Sequence, residues 1–164
     1  MKAGKAFTRS TCGAMALVAG LALLAVPPRA VAQNATSPVV QVRASGSVSQ
    51  VLGRLKRMVA SNGMMVMGEL HQGKVIAMTG LHVNSETIFV GNPQVGKQLF
   101  AADPGVGLVV PVRINVFQDA QGGTVVSYVP PSTILGAFHN PTVDHVAQML
   151  DGKLHNLVGM LGGQ

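Results

Sequence analysis

Gly91-Asn92-Pro93-Gln94-Val95-Gly96-Lys97-Gln98 supports two incompatible folds. Its first seven residues fit G-x-x-x-x-G-K, the opening of a phosphate-binding loop, where backbone amides cradle phosphates, Lys neutralises them and a Ser or Thr hydroxyl holds Mg²⁺. That reading would make the chain a nucleotide-binding protein built on a parallel sheet. The hydroxyl position, however, is Gln98, a poor magnesium ligand. The competing reading is a strand–turn–helix corner in which Asn92 caps a helix and Pro93 takes its first turn, where a missing N–H costs nothing. The corner explains more of the string. It predicts a helix from Pro93 to about Ala102, stopped at Asp103-Pro104, whose capped N-terminus could still attract an anion.

On the N-terminal side of the corner, Glu86–Val90 is β-branched and aromatic, the signature of a core strand. Before it, Met64–Leu70 reads as a strand with Met64, Val66, Gly68 and Leu70 on one face and Met65, Met67 and Glu69 on the other. A short helix is expected within residues 72–80. Ser47 with Gln50 makes a capping box. Val48, Val51, Leu52, Leu55, Met58 and Val59 then recur at helical spacing until Asn62-Gly63 stops the helix. Val39–Arg43 supplies a short first strand.

On the C-terminal side, Val109–Gln118 and Thr124–Val129 flank Asp119–Gly123, a hairpin by composition. A second Asn-Pro pair, Asn140-Pro141, opens the last helix. Its apolar positions Val143, Ala147, Leu150, Leu154, Leu157 and Leu161 give one buried stripe about five turns long. The expected architecture is one α+β domain over residues 39–164: a two-layer, mainly antiparallel sheet covered by helices, with a long C-terminal helix.

The 164-residue chain carries 12 Lys+Arg against 6 Asp+Glu, a net charge of +6. Four of those bases, Lys2, Lys5, Arg9 and Arg29, sit in a segment with an apolar run from Ala14 to Val26 and the small-residue pattern Ala30-Val31-Ala32. This reads as a signal peptide over residues 1–32, cleaved after Ala32, since the run is well short of the roughly 20 residues that span a bilayer. The only cysteine, Cys12, would leave with it. The mature chain is then cysteine-free with a net charge of +2, exported to the periplasm or beyond, without a membrane span and with a flexible leader over 33–38. It has no Trp and a single Tyr, so the basic and aromatic surface of a nucleic-acid binder is missing.

Several separated elements resemble domain-of-unknown-function family 302. They are Gly91-Asn92-Pro93-x-x-Gly96, Leu99-Phe100, Pro104-x-x-Gly107-Leu108 with Pro111, and the strand pair ending at Tyr128. The resemblance covers roughly residues 39–161 and implies the same α+β fold, without an established biochemical role. The sequence departs from the family in three places. Glu69-Leu70-His71-Gln72 stands where an Ile-Asp-His segment is usual, Val129-Pro130-Pro131 replaces an acidic residue after the tyrosine, and Lys97 replaces Thr.

Among chemical groups, Glu69 and His71 are the first ligand-binding candidates, with Asn92 and Tyr128 as secondary ones. Soft thioether and imidazole ligands suit copper, so His71, His82, Met65 and Met67 form an alternative metal set. Otherwise no cofactor is expected. Ser127, His71 and Asp119 supply hydrolase ingredients, but no G-x-S-x-G elbow marks a nucleophile and no catalytic constellation stands out. The sequence therefore points to an exported binding domain for a small molecule or a partner protein. Copper handling is the alternative and a hydrolase less favoured; dimerisation through a sheet edge is compatible with so small a domain.

Overall fold

The computed structural model describes residues 38–162. The expected signal peptide and all but the last residue of the expected leader lie outside the described residues. Twelve elements follow in order, and the sheet is built from five of them: β1 (Val40–Ala44), β2 (Met65–Leu70), β3 (Ser85–Gly91), β4 (Val112–Gln118) and β5 (Thr124–Tyr128). Their spatial order is β1-β5-β4-β3-β2, and every pairing is antiparallel. The helices are α1 (Val48–Ser61), α2 (Gln72–Ala77), α3 (Pro93–Ala102), α4 (Pro131–Leu135) and α5 (Pro141–Gly162). This is the expected α+β architecture.

The capping signals work as read. Ser47 accepts from the Gln50 amide while Gln50 Oε1 takes the Ser47 N–H, so two orphan donors of α1 are satisfied reciprocally. Asn92 Oδ1 accepts from the Gln94 and Val95 amides, and Asn140 Oδ1 from those of Thr142 and Val143. Each asparagine also reaches backwards. Asn92 Nδ2 donates to the Gly63 carbonyl at 2.6 Å and Asn140 Nδ2 to that of Ala102 at 3.1 Å. One side chain thus starts a helix and ties that start to an earlier part of the chain.

Two apolar cores result. The first lies between the sheet and α1 with the C-terminal half of α5, and includes Leu55, Ile88, Ile114, Val116, Val126, Leu154 and Leu157. The second gathers Leu99, Val106, Leu135, Val143, Val146, Ala147 and Leu150 from α3, the 3₁₀ turn Pro104–Leu108, α4 and the N-terminal half of α5. That turn also trims the expected start of the fourth strand from Val109 to Val112. α4 was not anticipated from the sequence. Ser132 on it donates from its amide to Asp151 of α5 at 3.1 Å, and its hydroxyl bonds the same carboxylate. Asp151 therefore ties α5 to the start of α4.

One expectation fails in β2. The β2–β3 register runs Val66↔Val90, then Gly68↔Phe89 and Glu69↔Ile88, so Met67 is an extra residue in a bulge. An extra residue reverses every later side chain. Glu69 therefore lies on the face covered by α1 and α5 with Val66, and Leu70 goes to the other face, opposite Thr87. The predicted sharing of a face by Met65, Met67 and Glu69 does not hold.

Ile114 is fully buried at the centre of the first core. Ile114→Ala should cost about 2–5 kcal/mol, by lost transfer energy and a residual cavity, read as a lowered urea midpoint with an unchanged slope.

Candidate functional site

The sequence-nominated residues fall into three separate places. Glu69 and His71 lie at the β2 edge. The bulge brings Glu69 against α1, where Lys56 Nζ sits 2.6 Å from its Oε2, and His71 Nδ1 lies 2.6 Å from Glu86 Oε2. Glu86 was read from sequence only as a strand residue; its place beside His71 follows from extending the β2–β3 pairing one step beyond Leu70↔Thr87. The two pairs are a third to half exposed on their more open members, so each contributes well under about 1 kcal/mol.

Tyr128 is buried at 4% exposure in the first core. It lies in the same cross-strand row as Ile114, Ile88 and Glu69, three strand spacings or about 14 Å from Glu69. Burial, and secondarily the negative Asp151, raise its phenol above the usual pKa of 10.0. Tyr128 is thus a core residue and does not join the edge cluster.

The metal set is divided as well. Met67 and His71 are four residues apart along the edge, about 13 Å at strand rise, and His82 is exposed in the loop before β3. Among the described residues no group of three or more His, Cys, Asp or Glu side chains could hold a metal ion. The hydrolase ingredients do not meet either. Ser127 pairs with Asn115 in β5, and Asp119 Oδ1 accepts the Gln121 and Gly123 amides in the hairpin. His71 lies beyond β2 at the far edge.

Asn92 belongs to the third place, a cleft of about 650 Å³ where α3 and α5 meet the ends of β3 and β4. Pro93, Val95, Gly96, Leu99 and Phe100 form its α3 wall, and Met149, Leu150, Lys153 and Leu154 its α5 wall. Met64, Met67, Val90 and Val112 close the sheet side. Asn92 lines this cleft with its amide already committed to the helix cap and the Gly63 carbonyl. The Gly96 amide bonds the Asn92 carbonyl, so this N-terminus offers little to an anion.

Two glycines shape the cleft. A Cβ on Gly96 would meet nothing within 4 Å, so the space is open above it, whereas one on Gly91 would fall 2.5 Å from Met67 Sδ. Gly91 thereby lets the bulged Met67 lie over β3 and close one end. Met64, Met67 and Met149 give three unbranched thioether side chains, which adapt to irregular ligands better than branched ones. Lys153 is exposed and, among the described residues, forms no ion pair. Sequence reading missed Met149 and Lys153, although both flank the α5 apolar stripe at i and i+4, where a helix face turns from core to solvent.

Fold and cleft together define a small two-layer α+β domain whose helix layer parts to leave one apolar recess. Residues 40–161 match the family described as "Domain of unknown function DUF302", and the chain belongs to that family. A crystal structure of an uncharacterized conserved protein DUF302 from Bacillus stearothermophilus is similar in fold, with a TM-score of 0.71 at 19% identity, covering 76% of this chain and 98% of that one. No curated protein matches the chain.

The buried phenol gives a measurable titration. An unfolded tyrosine ionises near 10 and Tyr128 above it, so stability is intact below pH 10 and falls as pH rises beyond that value. Tyr128 is the only tyrosine and there is no tryptophan. Absorbance at 295 nm should therefore show a single phenolate midpoint above 10 in the folded protein, dropping to the ordinary value in denaturant.

Proposed function

We propose that this protein is an exported, non-catalytic binding domain whose ligand is a small amphipathic molecule, an apolar body bearing one anionic group. The observation that carries this reading is the cleft of about 650 Å³ with almost wholly apolar walls and, beside them, Lys153, which forms no ion pair among the described residues. Pockets of this size and character take drug-sized ligands, orienting them with a few polar groups. Three features support it further. The methionines let the walls fit flexible chains. Glu69 and His71 at the β2 edge are paired with Lys56 and Glu86 and do not line the cleft. The first 32 residues read as an export signal, and an exported domain would meet such molecules outside the cytoplasm.

Decanoate and decanol separate the roles of the walls and the charge. Both should bind, measured by calorimetry. Gly96→Leu should fill the open space and abolish binding of either without loss of stability, because replacing a helical glycine is itself favourable by up to about 1 kcal/mol. Lys153→Gln should weaken decanoate about tenfold and leave decanol unchanged. Undiminished decanoate binding by folded Gly96→Leu sinks the assignment to this cleft.

Export has its own measurement. Protein recovered from outside the cytoplasm should begin at Gln33, and an uncleaved chain confined to the cytoplasm would count against this part of the reading.

A further inference from the structure

The sheet face opposite α1 and α5 carries a second recess, about 440 Å³, under α2. It is held there by a close backbone approach: a Cβ on Gly73 would fall 2.5 Å from the Val83 carbonyl oxygen, so only glycine lets α2 sit this low. The walls are Leu70, Val75, Ile76 and Phe117, and among the described residues no charged side chain lines the space.

At its floor Gln72, Ser85 and Asn115 line the space, and with the buried Thr87 behind them they form a ring of four polar side chains. Ser85 Oγ lies 2.9 Å from Gln72 Oε1 and 3.0 Å from Asn115 Oδ1. Thr87 Oγ1 lies 3.0 Å and 3.2 Å from the same two atoms. Thr87 is only 4% exposed, so water cannot complete its bonding freely. Four oxygen–oxygen contacts share only two hydroxyl protons. A half-turn of one amide exchanges its oxygen and nitrogen, and every contact then has a proton: one NH₂ donates to both hydroxyls, and both hydroxyls donate to the other amide's oxygen. That closure leaves one amide with its carbonyl oxygen, and the other with its NH₂, directed away from the ring. Gln72 and Asn115 both line the recess, and no other described side chain bonds either amide.

We propose that this recess binds an uncharged ligand through a carboxamide group. The ligand's N–H donates to the outward carbonyl and its C=O accepts from the outward NH₂, while an apolar substituent packs between the α2 side chains and Phe117. A carboxylate has no proton to give the outward carbonyl and would be desolvated among apolar walls without a counter-charge. A ketone satisfies only the NH₂. The site lies on the other face of the sheet from the α3–α5 cleft and does not depend on it.

The probe is benzamide, with benzoate and acetophenone as its charged and acceptor-only counterparts. In ¹H–¹⁵N spectra, benzamide at millimolar concentration should shift the side-chain NH₂ signals of Gln72 and Asn115, and the two counterparts should bind at least about tenfold more weakly. Asn115→Leu should remove the benzamide response while keeping a dispersed spectrum. Should that variant fail to fold, Gln72→Leu on the short helix gives the same readout. Gly96→Leu, which closes the other cleft, should leave the response intact. No shift with benzamide, equal shifts with benzoate or acetophenone, or an unchanged response in a folded Asn115→Leu or Gln72→Leu protein would each overturn the proposal.

Discussion

One helix has to bury a single apolar stripe against two different partners. The stripe of α5 gives Val143, Val146, Ala147 and Leu150 to the core shared with α3 and α4, then Leu154, Leu157, Val158 and Leu161 to the core beneath the sheet. No other element supplies so many fully buried side chains to both. The two packings are joined through the continuous backbone of α5, so neither core can shift without moving the other. The Asn92 and Asn140 side chains reinforce this by fixing where α3 and α5 begin relative to earlier backbone.

The apolar cleft is a consequence of that arrangement. Leu150 belongs to one core and Leu154 to the other, and both line the recess. It is a seam between cores, left open because Gly96 adds no side chain and because the methionines bordering it do not branch. Closely packed interiors rarely tolerate such a gap, and the seam lies at the surface, where the cost of leaving it unfilled is least. Its chemistry is set mostly by walls rather than by polar groups, whereas the recess under α2 is set by its polar floor. The two faces of one sheet therefore present different surfaces: apolar walls beside a single charge on one side, a polar floor on the other.

Much of the fold was legible in the sequence because its signals are local. Capping residues, glycine stops and helical spacing act within a few residues, and Ser47, Asn92, Asn140 and the α5 stripe all do in three dimensions what their neighbours in sequence imply. Even the phosphate-loop lookalike was settled by one residue, Gln98, and by the competing cap. The bulge at Met67 was not read, since alternation predicts faces only while pairing stays regular; the one local signal is Gly68, because a glycine inside a strand often marks a bulge. The candidate site was less legible than the fold. Tyr128 is a family landmark that proves to be core, Glu69 and His71 pair with Lys56 and Glu86, and the cleft draws on residues far apart in sequence whose meeting no spacing rule encodes. Of the nominated residues, Asn92 and Met67 reach the cleft, Asn92 as the device that positions its wall.

The same bulge bears on how the sheet meets its surroundings. β2 is an edge strand, with Met65, Met67 and Leu70 exposed along it, and an edge of that kind is a template for another chain. An added strand would have to place its own extra residue opposite Met67, or lose phase with β2 halfway along and turn its apolar side chains to water. The irregularity that fills one end of the cleft thus also acts as a reading-frame mark on the outer edge, admitting an extension of the sheet only by a strand that carries the matching frame.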